Sequence, residues 1–218
     1  MATSGLDSVS RMGPVKRVIR WAILAAIAAF VIMAAAKALT SAFLNEDFPE
    51  SLAIKVELLP VIFPLHMLTG GMALLLVPLA IMLRRWPRWH RIAGRIAAID
   101  VLLAGVTALP VAWTVPVTNW SAAGFMAQGG AWLTLLGLGV WNIRRGRIAA
   151  HQAMMVMLAA TTSGAIFFRI YLALWAIFAQ GKHFELFYAC DAWIAWLLPL
   201  AISARLMRQH GTWRSIPA

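Results

Sequence analysis

The chain contains one cysteine, Cys190, and few charged side chains. A single cysteine can neither form an internal disulfide nor complete a cysteine-based metal site, which excludes disulfide-stabilised secreted domains and zinc fingers. Asp, Glu, Lys and Arg together make up 12% of the residues, about half the share of an ordinary soluble domain. The sequence also lacks a Gly-rich phosphate loop, a His-Glu-x-x-His helix and a Ser-centred elbow, so no familiar catalytic motif identifies an activity.

Hydrophobic residues are abundant, at 62% of 218 residues. A single soluble domain of this length cannot bury so much apolar surface. The formal net charge is +11, from 19 Lys and Arg against 8 Asp and Glu. Such basicity can indicate a nucleic-acid binder, but the hydrophobic content excludes a soluble one. The composition therefore predicts a multi-pass membrane protein whose main partner is the lipid bilayer and which does not bind nucleic acid.

Six apolar stretches are long enough to cross a bilayer, which takes about 20 residues. They cover 21–39, 58–83, 95–115, 122–142, 149–178 and 187–205. Short connections favour antiparallel neighbours, so we expect an all-α fold, a six-helix transmembrane bundle over 21–205. A basic tail, 1–20, precedes it and a second tail, 206–218, follows it. The first stretch resembles a signal peptide, but we expect it to remain as the first helix.

The basic residues indicate the orientation of the bundle. Fifteen of the 19 fall in the two tails and in the second and fourth connections, which these six spans place on the same side. That side also holds two of the 8 acidic residues, for a net charge of +13, and the opposite side carries −2. Lys and Arg are enriched in cytoplasmic segments. We therefore expect both termini to be cytoplasmic.

Ionisable side chains inside a bilayer are costly, and they mark candidate functional sites. Toward the outer side, His66 and Arg169 lie at similar depths in the second and fifth stretches, and Asp191 is the carboxylate nearest to them in depth. Gln128 in the fourth stretch completes this polar set. Arg169, Asp191 and Gln128 are candidate contacts for a small, anionic substrate. The alternative is a structural ion pair that fixes helix packing.

A second polar set lies toward the cytoplasmic side and contains His90, Asp100 and His151. Either histidine alone is equally explained as a solvated side chain beside arginines. His151 and Arg169 are 18 residues apart, which is five helical turns, so they project from one face about 27 Å apart along the axis. That face would connect the two polar sets. It suits a cofactor, a quinone-sized ligand or a transport path, and it also suits packing by small residues.

Several of these residues recur in a pattern of motifs along the sequence. The motifs are His66, Trp86–Arg95 (WPRWHRIAGR), Gly124-Phe125, His151–Met155 (HQAMM) and Arg169. This pattern resembles the bacterial multi-pass membrane proteins of domain-of-unknown-function family 2306, over roughly residues 60–170. Gln152 and Met154 replace the Arg and Trp that the family pattern has there. The resemblance implies a helical bundle in the bacterial inner membrane and no particular activity.

A looser similarity is to transmembrane b-type cytochromes of the ascorbate-reducing type, which have six helices with histidines in the central four. This similarity implies that His90 and His151 could be the axial metal ligands of a haem b. Arg169 would face a propionate or another anionic group. His66 would need a partner from the fourth span, where Met126 has a suitable depth. Because those cytochromes use four histidines in two pairs, at most one bis-histidine haem is expected here.

Three functions remain open from the sequence. In the first, the protein takes part in electron transfer through a haem b or quinone site, with His66, His90, His151 and Arg169 as cofactor contacts. In the second, it is a small-molecule transporter that uses the outer polar set. In the third, it is an accessory subunit that packs against a larger membrane complex.

Overall fold

A computed structural model of the protein describes residues 28–37 and 50–209, together with residues 21, 25, 26 and 40. The described part of the chain is mostly helical and contains no strand, which confirms the all-α prediction. The tail 1–20 lies outside the described residues, and the tail 206–218 is described only as far as residue 209.

Seven α-helices are present in the described ranges. They are α1 (Ala28–Lys37), α2 (Glu50–Leu58), α3 (Ile62–Met82), α4 (Pro87–Trp113), α5 (Asn119–Arg144), α6 (Ile148–Ala179) and α7 (Phe184–Gln209). A 3₁₀ turn, Leu83–Arg85, continues α3. The five helices from α3 to α7 are long and apolar enough to cross a membrane, and the described part of α1 is an apolar segment of ten residues. The sixth span, at 21–39, and the orientation of the termini stay predictions.

The helix ends follow local capping signals. Helix α4 begins at Pro87 because Trp86 has an extended backbone (φ −115°, ψ 90°) and proline is favourable in the first turn. Helix α5 begins after a capping box in which Thr118 and Ser121 bond each other's backbone N–H. Because α4 begins at Pro87, it starts eight residues before the apolar stretch that begins at residue 95. His90 therefore lies inside the helix, in its first turn.

Helices α3 to α6 pack as a four-helix bundle with α3 against α4, α4 against α5, α5 against α6, and α6 back against α3. Helices α4 and α6 thus occupy opposite corners. All four helices contribute to the main buried core, through residues such as Ala73, Val101, Trp132 and Leu158. Helix α7 packs on α5 and α6. Helix α1 packs on α3 and α6.

Candidate functional site

Three histidines of the bundle share one hydrogen-bonding arrangement. The Nδ1 atom of each ring lies close to a backbone carbonyl oxygen of the neighbouring helix, 3.2 Å for His66 to Ala104, 2.8 Å for His90 to Ala80 and 2.9 Å for His151 to Gly139. A carbonyl oxygen only accepts, so Nδ1 is the atom that donates in each contact. In the neutral ring, Nε2 then keeps a lone pair that can bind a metal or accept a proton.

His90 joins α4 to the end of α3. Ala80 lies in the last turn of α3, where carbonyl groups lack partners within the helix. The contact therefore caps α3 as well as orienting the imidazole of His90. A histidine at this position has a structural role whether or not its Nε2 has a ligand.

His151 joins α6 to α5 at a close approach of the two helices. A Cβ atom on Gly139 would overlap the terminal methyl of Met155, which lies one turn along α6 from His151. The absence of a side chain on Gly139 lets the helices approach closely enough for His151 to reach the Gly139 carbonyl. The ring of His151 is therefore held by the backbone of α5.

His90 and His151 lie at the same end of the bundle, each in the first turn of its helix, and their helices stand at opposite corners. Within the described residues, no three His, Cys, Asp or Glu side chains come together as a metal site. Two imidazoles with a free Nε2 are the protein ligands that a bis-histidine haem takes.

His66 lies among positively charged groups near the other end of the bundle. The hydroxyl of Thr107 is 3.4 Å from its Nδ1, and the charges of Lys55 and Arg169 both act on its ring. Lys55 donates through Nζ to the backbone oxygen of Val111 at 2.8 Å. Val111 lies two turns along α4 from Ala104, the carbonyl partner of His66. Lys55 and His66 are therefore attached to the same helix.

Lys55 was not among the residues singled out from the sequence, where it lies in an outer connection. Helix α2 brings it against α4, and burial lowers the pKa of its ammonium group below the ordinary value of 10.5. The charge pattern offered one signal, because Lys55 is one of the four basic residues that lie away from the side predicted to be cytoplasmic. Its contact with Val111 depends on tertiary packing.

Arg169 and Asp191 do not form an ion pair with each other. The Nη1 atom of Arg169 donates to the carbonyl of Ala165 in the preceding turn, at 2.7 Å. Both carboxylate oxygens of Asp191 are buried without a hydrogen-bond partner in the described structure. The structural alternative that the sequence left open for these two side chains therefore does not describe their geometry.

Gln128 faces α6 rather than the outer charged groups. Its Nε2 donates to the carbonyl of Thr161 at 3.2 Å and lies beside Gly164. One turn further along α5, the indole of Trp132 donates to the hydroxyl of Thr162 at 3.0 Å. These contacts lie between the two polar sets predicted from the sequence. The face of α6 that would connect the two sets is therefore packed by side chains at this level.

Comparisons with known proteins identify one family. The sequence model of the family described as "Predicted membrane protein (DUF2306)" matches residues 63–207. The matched region includes every site residue predicted from the sequence, from His66 to Asp191. No curated protein and no solved structure matches the chain, and the similarity to b-type cytochromes is not among these findings.

Proposed function

The chain belongs to the DUF2306 family of predicted membrane proteins, and from that premise we propose that it is an electron-transfer protein with one haem b between His90 and His151. One observation supports this proposal above the others. Both imidazoles have Nδ1 committed to a backbone carbonyl, at the same end of the bundle and on helices at opposite corners. A free Nε2 on each of two imidazoles at one end of the bundle is the feature that the proposed axial ligation would use.

The hydrogen bonds of the two rings would tune the ligands as well as orient them. An imidazole that donates from Nδ1 to a carbonyl is a more basic ligand at Nε2 than a free imidazole, and it cannot rotate away. When bound, haem b supplies a one-electron redox couple. The arginines at the same end of α3, α5 and α6, such as Arg84, Arg144 and Arg147, would pair with the propionates. A quinone or another membrane subunit would exchange electrons with the site.

Arg169 belongs to a different part of this proposal. It lies about 27 Å along the axis from His151, which is too far for contact with a haem held by His151. With His66, it would form a second cofactor contact toward the outer side. We propose the bacterial inner membrane as the location, with the arginine-rich end of the bundle in the cytoplasm.

The test is the visible spectrum of the purified protein after expression with a sufficient supply of haem. The dithionite-reduced protein is expected to show the sharp α-band of a low-spin, bis-histidine haem, with about one haem per chain. A wild-type protein that lacks this band under those conditions would overturn the haem proposal. A band that survives in both single His→Ala variants would overturn the assignment of the ligands.

A second candidate function is the binding or transport of a small anion. It is favoured by Lys55, His66 and Arg169. Two positive charges act on the half-buried ring of His66, and the hydrogen bonds of all three side chains go to backbone oxygens or to a hydroxyl. Basic groups without a carboxylate partner suit an anionic ligand. The sequence also predicts Gln128 and Asp191 as substrate contacts, but Gln128 bonds α6 and the carboxylate of Asp191 would repel an anion, so the anion hypothesis depends on Lys55, His66 and Arg169.

A panel of small carboxylates and phosphates would test this second function through the melting temperature of the protein in detergent. A ligand is expected to raise the melting temperature of the wild type and not that of Arg169→Met. Equal shifts in both proteins, or no shift across the panel, would count against an anion site. This result is independent of the haem spectrum.

A further inference from the structure

The outer half of the α6–α7 pair carries a groove that neither proposed function uses. Its volume is about 460 Å³, and its walls include Tyr171, Trp175, Phe187 and Asp191. Leu174 and Ile194 also line the groove and are 46% and 50% exposed. The groove is therefore open at the side of the helix pair, where a membrane would surround it.

Asp191 is the unusual member of this lining. Its side chain is only 2% exposed, and neither carboxylate oxygen has a hydrogen-bond partner in the described structure. A buried charged carboxylate without a partner is strongly unfavourable, and it becomes tolerable when it takes up a proton or when a cation or a hydrogen-bond donor reaches it. Arg169, the cation that the sequence offers at this depth, bonds its own helix instead.

Aromatic rings form the wall on the outer side of Asp191. Trp175 is stacked on Phe187 with ring centroids 5.0 Å apart and an interplanar angle of 14°, and it also contacts Phe184 at 5.3 Å. The indole N–H of Trp175 donates to the carbonyl of Lys182, which fixes the orientation of the ring. Faces of Trp, Tyr and Phe attract organic cations, and they attract them more strongly where water is excluded.

We propose that this groove binds a lipophilic organic ammonium cation, with the charged head against Asp191 and the aromatic rings and the alkyl part along the apolar lining. The combination of one buried carboxylate with several aromatic faces matches the charge and the polarizability of a substituted ammonium group. A bare metal ion does not fit, because hard cations require about six oxygen ligands. An anion does not fit because it would meet an unpaired carboxylate.

The position of Asp191 along α7 sets the path of the ligand. Asp191 lies seven residues into α7, about 10 Å along the axis from the start of the helix. A cation that reaches it therefore passes the first two turns of α7, and the net charge of −2 expected on the outer side would favour its approach.

The experiment compares hexyltrimethylammonium with 2,2-dimethyloctane, its neutral isostere, on the full-length protein in maltoside micelles. The readouts are the melting temperature and the fluorescence of tryptophan. The ammonium compound is expected to raise the melting temperature and change the fluorescence in a saturable way, and the neutral isostere is expected to do neither. Equal effects of the two compounds, or none from the ammonium compound, would overturn the proposal.

Variants of the groove locate the site. Asp191→Asn is expected to weaken binding of hexyltrimethylammonium by at least about tenfold, the size expected for loss of a desolvated charge partner. Glu185→Gln is the matched control, because this carboxylate is exposed in the first turn of the same helix, and it is expected to leave binding unchanged. Unaltered binding in Asp191→Asn would overturn the site.

A second pair of variants makes the test independent of how Asp191→Asn folds. Trp175→Leu removes the aromatic face and keeps an apolar side chain, whereas Trp175→Phe keeps an aromatic face. Binding is expected to weaken several-fold in the first variant and to remain near wild type in the second. Equal binding by both variants would show that the aromatic wall does not recognise the cation, which contradicts the proposal.

Discussion

The imidazole of His151 is 2.9 Å from the carbonyl oxygen of Gly139, at a position where the methyl of Met155 occupies the space that a side chain on Gly139 would need. This relationship links a packing feature to a chemical one. Close approach of α5 and α6 requires glycine, and the approach places a carbonyl within reach of the ring. The availability of Nε2 on His151 thus depends on a residue that carries no functional group.

Gly139→Ala tests this dependence. The new methyl overlaps Met155, so α5 and α6 must separate or Met155 must move, and overpacking of this kind costs about 1–3 kcal/mol of stability. We expect a melting temperature several degrees lower in detergent, together with loss of the His151 contact. Gly137→Ala is the matched control because nothing lies near its Cβ position, and it should be neutral or slightly stabilising.

The double variant Gly139→Ala/Met155→Ala adds a second check. If the overlap causes the loss of stability, removal of the Met155 side chain should restore part of it, because the two changes are coupled. Simple additivity of the two losses would mean that Gly139 matters for another reason.

Replacement of the two histidines separates ligation from capping. His90→Ala and His151→Ala are each expected to abolish the α-band of the reduced protein, because a single imidazole does not hold a six-coordinate haem. His183→Ala is the control, since that side chain is exposed in the loop before α7, and it should retain the full spectrum. If His90 serves only to cap α3, His90→Ala would lower the melting temperature and leave the spectrum intact.

The sequence predicts the class of fold well because hydropathy is a local property. The five stretches from 58 to 205 correspond to the five long helices of the described chain. The helix ends are less predictable, since hydropathy marks only the apolar segment and the arginines around His90 interrupt it. Helix α4 continues through those arginines as far as Pro87, which moves His90 from a connection into a helix.

The partners of the site residues could not be read from the sequence. Depth along an axis follows from residue number, but the direction of a side chain around the helix depends on how the helices pack. Arg169 and Asp191 have similar depths, yet Arg169 bonds Ala165 and Asp191 is buried at the groove beside Trp175. The contact of Lys55 with Val111 likewise depends on the position of α2.

The ammonium group of Lys55 predicts a pH dependence of stability. Burial holds the pKa of this group below 10.5, its value in the unfolded chain. Between the lower pKa of the folded protein and 10.5, the unfolded state therefore binds more protons than the folded state. Stability therefore increases with pH across this interval, up to 10.5. Chemical denaturation at a series of pH values should show a steeper rise for the wild type than for Lys55→Met.

The control for Lys55→Met is Lys182→Met, because Lys182 is exposed in the loop before α7. Its pH profile should follow that of the wild type. Identical slopes in all three proteins would mean that Lys55 titrates alike in the folded and unfolded chains, which contradicts burial of its ammonium group against α4.

The unpartnered carboxylate of Asp191 predicts a gain in stability when its charge is removed. Asp191→Asn keeps the shape of the side chain and eliminates a buried charge that has no partner, so the ligand-free protein should become more stable by about 1 kcal/mol or more. Glu185→Gln, on the exposed first turn of α7, should change the stability by less than about 0.5 kcal/mol. A gain in Asp191→Asn means that the wild-type carboxylate is kept at a cost to the fold, as binding residues commonly are. Hexyltrimethylammonium should stabilise the wild type alone and so make it more stable than Asp191→Asn. A loss of stability in ligand-free Asp191→Asn would show that the carboxylate already has a partner within the protein.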